Sequence, residues 1–158
     1  MAASLSWPYL DKDEILEALF DAIGCPDPDA RQRLSRSSDR VLELVASRCP
    51  RAVLCSFWRR PGTEAHAGTP TEWLATPGVR VLELVCRCPT DLSVSRFLRR
   101  ERHPGHHDYR HSPESLASQA TEISARLPLG LGPYIEVDTS SRVDLSAVVQ
   151  AIERWAAA

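Results

Sequence analysis

Lysine is almost absent from this chain. Lys12 is the only one among 19 basic residues. Glycine is scarce as well, with seven residues, the first of them Gly24. Together these shortages exclude a Gly-x-x-x-x-Gly-Lys-[Ser/Thr] phosphate loop anywhere in the 158 residues. Gly-x-Ser-x-Gly is missing too, so no hydrolase nucleophile elbow is indicated. No apolar run approaches the ~20 residues of a membrane span. The first residues carry neither a basic n-region nor an apolar h-region, so no secretory signal is expected. A formal charge of −2 gives the molecule no general pull toward nucleic acid or an anionic membrane. The five cysteines (Cys25, Cys49, Cys55, Cys86 and Cys88) form an odd set without disulfide-scaffold spacing. Reduced thiols in a cytoplasmic protein are the expectation.

What is present is enough for one domain with a real core: 43% hydrophobic and 25% charged residues over 158 positions. Trp7 to Leu10 reads as a short strand. Asp11 then caps a helix, with Glu14 three residues on, and Gly24 stops it. Asp27-Pro28 opens a second helix that Pro50 ends. Ala52 to Trp58 is apolar almost throughout and reads as a buried strand. Val79 to Cys86 reads as another, and Tyr134 to Asp138 as a third. Helices are expected from Thr90 to about Arg102, from Ser112-Pro113 to before Pro128, and after a cap at Asp144. Strands alternate with helices, which predicts an α/β fold with a mainly parallel sheet. No repeat or linker divides the chain, so residues 1–158 are expected to form a single domain.

Two clusters could carry chemistry. Asp11 and Asp13 stand at the carboxyl end of a strand, where an open α/β sheet presents its ligand crevice. One carboxylate could take the proton of an attacking hydroxyl and the other could hold Mg²⁺ through water. The same positions also suit a plain helix cap and a first-turn acid. The second cluster is Arg96-Phe-Leu-Arg-Arg-Glu-Arg-His-Pro-Gly-His-His-Asp108. Arg96, Arg99 and Arg100 share one helical face, and Arg102 and His103 lead into a Pro-Gly loop. This is what a lid closing on triphosphate needs; it is also what a solvated basic helix looks like. His103, His106, His107 and His111 lack a ligand set of established spacing, and Cys86 and Cys88 lie two apart rather than at zinc spacing. No metal site is expected from them. Cys55 is expected to be a packed core thiol, and Lys12 a solvent-facing residue.

The order of these pieces resembles the P-loop kinase group of small-molecule phosphotransferases, which includes shikimate and gluconate kinases, chloramphenicol phosphotransferase and zeta toxins. It is most similar to bacterial ATP-binding proteins of AAA or kinase-like type. The resemblance covers nearly the whole chain. It rests on Trp7-Pro-Tyr-Leu-Asp-Lys-Asp-Glu-Ile15, Val53-Leu-Cys-Ser-Phe-Trp-Arg59, Cys86-Arg-Cys-Pro89, Arg99-Arg-Glu-Arg-His-Pro-Gly-His106 and Leu129-Gly-Leu-Gly-Pro-Tyr-Ile-Glu-Val-Asp-Thr139. It implies a three-layer P-loop kinase-like fold with a lid at about 96–112. Asp13 would be the base, with Asp11 beside it for Mg²⁺ or substrate. Phe57, Trp58 and Arg59 would face the acceptor. Arg96, Arg99, Arg100 and Arg102 would reach ATP phosphates, and Thr139 would lie beside the adenine.

The departure is as informative as the match. The group begins with a strand, a phosphate loop and a helix, and Met1-Ala-Ala-Ser-Leu-Ser resembles only the last turn of that helix. Cys55 also stands where an acidic residue could support Mg²⁺. The resemblance therefore implies ATP and Mg²⁺ as ligands and transfer of the γ-phosphoryl group to a hydroxyl of a small molecule. The chain as it stands is expected to bind nucleotide weakly or not at all and to be inactive. The missing strand would be central, flanked by those at Ala52 and Val79, so its absence predicts an exposed apolar slot. The alternative function is a non-catalytic module whose slot takes a strand from a protein partner.

Overall fold

Four of the six helices described begin where a side chain satisfies their first orphan N–H groups. In a computed structural model describing residues 1–62, 68–108 and 111–158, Asp11 accepts from the N–H of Asp13, Asp27 from Ala30, Ser112 from Ser115, and Asp144 from Ser146 and Ala147. In order the elements are α1 (Ala2–Leu5), β1 (Tyr9–Asp11), α2 (Lys12–Ile23), α3 (Pro28–Ala46), β2 (Val53–Cys55), β3 (Glu83–Arg87), α4 (Thr90–Arg99), α5 (Pro113–Ala125), β4 (Tyr134–Asp138) and α6 (Leu145–Ala157). Short 3₁₀ turns occupy Glu72–Ala75 and Pro104–His106. Gly24 ends α2 at φ 78°, a backbone that suits glycine. The helix expected from Thr90 starts there but ends at Arg99, and Pro89 at its cap makes no side-chain hydrogen bond.

The described residues divide into two compact units. The first comprises Met1–Trp73 with His103–His107. Its sheet is a parallel pair, β1 on β2, in register Tyr9–Val53, Leu10–Leu54 and Asp11–Cys55. Helix α2 packs on α3. Lys12, Leu16 and Phe20, four apart, form the buried stripe of α2, and Ala30, Ser38, Leu42 and Ala46 that of α3. Leu16 and Leu42 are fully buried, which stabilises the unit by about 1.5–3 kcal/mol each.

The second unit comprises Leu74–Arg102 and Asp108–Ala158. Its sheet is the parallel pair β3–β4, in register from Glu83–Tyr134 to Arg87–Asp138, with α4 packed on α5. Val85, Leu116, Leu129 and Ile152 are its buried apolar side chains, together with Leu74. Glu83 is buried among them. Its carboxylate accepts from three consecutive backbone N–H groups, Leu129 at 2.6 Å, Gly130 at 2.9 Å and Leu131 at 2.7 Å.

The α/β class and the parallel pairing expected from the sequence hold. The strands are shorter than expected: 53–55 rather than 52–58, and 83–87 rather than 79–86. Among the described residues β2 pairs only with β1 and β3 only with β4. An apolar run reports burial, whereas a strand needs a partner ladder, and residues past the ladder leave it. Phe57 is accordingly 54% exposed and Val79 46%. No described helix is long and apolar enough to cross a membrane.

Candidate functional site

The parallel register of β1 and β2 sets Asp11 beside Cys55 at the carboxyl ends of both strands. Tyr9, two residues back and so on the same strand face, donates its hydroxyl to Asp11 Oδ2 at 2.8 Å. Asp11 Oδ1 accepts the Asp13 N–H at 2.8 Å. Both Asp11 oxygens thus hold neighbouring groups in place. The Asp13 carboxyl, in the first turn of α2, is about half exposed, with the Lys12 ammonium 3.9 Å away. Of the two expected site acids, Asp11 has both oxygens engaged locally, while the Asp13 carboxyl is half exposed.

Lys12 reverses its expectation. Its side chain is 10% exposed, and Nζ donates to Ser35 Oγ of α3 at 2.8 Å. The chain's one lysine ammonium is thus buried next to the acid pair. Cys55 reverses its expectation in the other direction, since it is exposed rather than packed in a core, and Cys86 is exposed as well. Partial burial still raises the Cys55 thiol above its ordinary value; the Asp11 and Asp13 carboxylates add to this, and a Tyr9 hydrogen bond opposes it. Partial burial, then the bond to Asp11, raises the Tyr9 phenol. Burial also raises Cys86, with Cys88 adding to it.

These are acids held neutral in the fold. Their contribution to stability is complete below the ordinary thiol value of 9.0 and is lost as pH rises through the folded values. Alkylation of Cys55 by iodoacetamide, followed by mass spectrometry across pH, is expected to reach half its limiting rate above pH 9.0. A midpoint below that value would contradict this placement.

Of the residues expected to face the acceptor, Phe57 is exposed, while Trp58 and Arg59 are engaged with their own surroundings. Trp58 bridges to Thr69, and the Arg59 guanidinium sits 3.2 Å from Glu72. The Glu72 backbone N–H, then Arg59, hold the Glu72 carboxyl below its ordinary value. Buried Thr69 donates to Asp39 Oδ1 at 2.7 Å and shares a short hydrogen bond with the Ser56 hydroxyl. The central part of the Arg59–Thr69 loop, residues 63–67, lies outside the described residues.

The expected lid, 96–112, divides between the units, and residues 109–110 lie outside the described ones. In the second unit Arg96 reaches the Ser140 carbonyl at 3.5 Å, one residue beyond Thr139. Arg99 is bonded to Ser95. Arg100 lies 4.2 Å over the Phe97 ring, and Arg102 sits 3.2 Å from Asp108. The Thr139 hydroxyl and N–H both donate to the Arg87 carbonyl, extending the β3–β4 ladder. The Ser140 hydroxyl and N–H hold the Asp138 carboxyl low.

In the first unit the histidines find carboxylates instead of a metal set. His106 Nε2 is 2.8 Å from Glu17, and His103 Nε2 is 3.1 Å from Asp21. His103 Nδ1 accepts the Gly105 N–H at 3.0 Å, which leaves Nε2 to donate to Asp21. The Phe20 ring lies between the two imidazoles, with centroids 5.2 and 5.4 Å away. A Cβ on Gly105 would come within 2.5 Å of Phe20, so the segment docks only as glycine. No group of three metal-ligating side chains occurs among the described residues.

No protein-family model matches the chain, and no curated protein matches it. By structure it is similar to a protein from Chloroflexus aurantiacus J-10-fl, provisionally named a kinase and solved at 1.70 Å. The TM-score is 0.70 at 24% identity, over 97% of this chain and 86% of that one. The chain has a kinase-like fold.

Tyr9, Lys12, Ser35 and Cys55 escaped the sequence reading as site residues. Two of them had legible signals. Lys12 stands four residues before Leu16 on the buried stripe, and Tyr9 shares the strand face of Asp11.

Proposed function

We propose that these residues form the acceptor-binding and lid portions of a kinase-like phosphotransferase that uses Mg-ATP. The observation that carries the reading is Asp13: a half-exposed carboxylate at a parallel strand end, fixed through Asp11 and set beside a buried ammonium. Asp13 accepts the proton of a small-molecule hydroxyl as its oxygen bonds to the γ-phosphorus, and the bond to the departing ADP breaks. Asp11 positions the Asp13 backbone. Arg96, Arg99, Arg100 and Arg102 belong to the second unit and have the charge that a phosphate ligand needs.

The donor set suits Mg²⁺, which keeps most of its waters and needs only one or two carboxylates. Asp11 would hold the ion through water while Asp13 stays free to take the proton, and when bound Mg²⁺ supplies positive charge at the phosphates. The thiol of Cys55 is too soft a ligand to add to that set.

The phosphate cradle, with its backbone N–H groups and lysine, is not in these 158 residues. Among the described residues β2 and β3 are each paired on one side only, which leaves an edge in each unit for a further strand. The 158-residue protein is expected to hydrolyse no Mg-ATP. Turnover by it that Asp13→Asn abolished would overturn the division of labour proposed here.

The same one-sided pairing favours a second reading, a module whose open strand edges take a strand from a protein partner. Co-purification of a stoichiometric partner whose binding protects the β2 amides from exchange supports it. A monomer with freely exchanging edges counts against it.

A further inference from the structure

A second site lies on the first unit, along α3. Arg36, Asp39, Arg40 and Glu43, spaced three and four apart, share a helix face and line a cleft closed on its other side by Pro70 and Trp73. The cleft is about 160 Å³, room for on the order of ten water-sized groups. That is room for a single-ring molecule.

Its charges are not equivalent. Arg40 and Glu43 neutralise each other at 2.8 Å. Asp39 has one oxygen taken by Thr69, while its other oxygen accepts no hydrogen bond among the described residues. Arg36 makes no ion pair or hydrogen bond among the described residues and is the uncompensated cation of the cleft. The Trp73 indole N–H donates to the Pro70 carbonyl at 3.0 Å, which fixes the ring as a wall.

Two hydrogen-bonded links, both within the first unit, tie this cleft to the acid pair. Ser35, next to Arg36, receives the ammonium of Lys12, which lies between Asp11 and Asp13 in the chain. Thr69 joins Asp39 to Ser56, which follows Cys55, the register partner of Asp11.

We propose that the cleft formed by α3, Pro70 and Trp73 is an acceptor subsite for a small hydroxylated ring compound bearing one anionic group. The inference rests on the phosphotransferase reading and specifies its acceptor. The Arg36 guanidinium takes the anion, a carboxylate or a phosphate. Asp39 accepts from a ring hydroxyl, and the indole packs against the ring's C–H face.

The test is NMR titration of the 158-residue protein, following the Trp73 indole N–H resonance assigned by Trp73→Phe. The probes are glucuronate, glucose 6-phosphate and glucose, without nucleotide. At least one anionic probe is expected to shift the resonance, with glucose at least tenfold weaker. Which of the two binds identifies the anion. Arg36→Gln, an exposed position, is expected to weaken that probe at least tenfold with an unchanged melting temperature; Asp39→Asn is expected to weaken both the probe and glucose. The inference is overturned if neither anion binds, if glucose binds as tightly, or if binding survives in both variants. Because no ATP is involved, that failure leaves the kinase reading standing. Binding here without phosphoryl transfer by a chain carrying a cradle would do the reverse.

Discussion

Glu83→Ala is expected to cost about 3–5 kcal/mol of stability, because three backbone N–H groups lose their acceptor at once. Leu129, Gly130 and Leu131 all point their N–H groups at this one buried carboxylate, at 2.6 to 2.9 Å. Each donor stranded away from water costs about 1–3 kcal/mol, reduced where solvent reaches the opened loop. Glu83→Gln, with one acceptor oxygen in place of two, should fall between. Urea unfolding measures the loss, and amide exchange locates it: protection of residues 129–131 should vanish before that of the β4 amides. A loss under about 1 kcal/mol, with those amides still protected, would mean that the carboxylate is not what orders the loop.

His106→Ala is expected to cost the first unit about 2–4 kcal/mol and to release the 103–107 segment from α2. The imidazole is 3% exposed, bonds Glu17 at 2.8 Å, and meets Phe20 edge-on, while its backbone carbonyl accepts from Arg31 at 3.1 Å. Truncation leaves both a cavity against Phe20 and a carboxylate without its donor. His106→Phe refills the cavity but not the bond and should recover part of the loss. Limited trypsinolysis after Arg102 reads the release directly. Cleavage no faster than in the parent would contradict the docking.

How much of this was legible depends on the range of the interaction. Caps act over three residues, so Asp11, Asp27, Ser112 and Asp144 announced their helices, and Gly24 announced where α2 stops. Tyr134–Asp138 was legible because its whole length is paired with β3. The β2 strand was overextended because the apolar stretch 52–58 carries no mark where the β1 ladder runs out. Lys12 was misjudged because its charge outweighed its position on the Leu16–Phe20 stripe. The clasp of Glu83 on residues 129–131 spans 46 to 48 positions and has no local signature. The histidine loop hinted at chemistry, yet its partners Glu17 and Asp21 lie more than 80 residues earlier and make it a structural clamp. The acid pair was visible from spacing; which acid is committed to structure required knowing that Tyr9 and the Asp13 N–H occupy Asp11.

The central claim is that Asp13 is the general base of a kinase-like site whose phosphate cradle lies outside these residues. The most direct measurement joins a strand, a Gly-x-x-x-x-Gly-Lys-Ser loop and a helix ahead of Met1, then follows Mg-ATP consumption. The extended chain is predicted to turn over ATP where the 158-residue chain does not. Asp13→Asn in the extended chain is predicted to lower the rate by about 10²–10⁴-fold at unchanged melting temperature. An extended chain that consumes Mg-ATP equally well without the Asp13 carboxylate would contradict the claim.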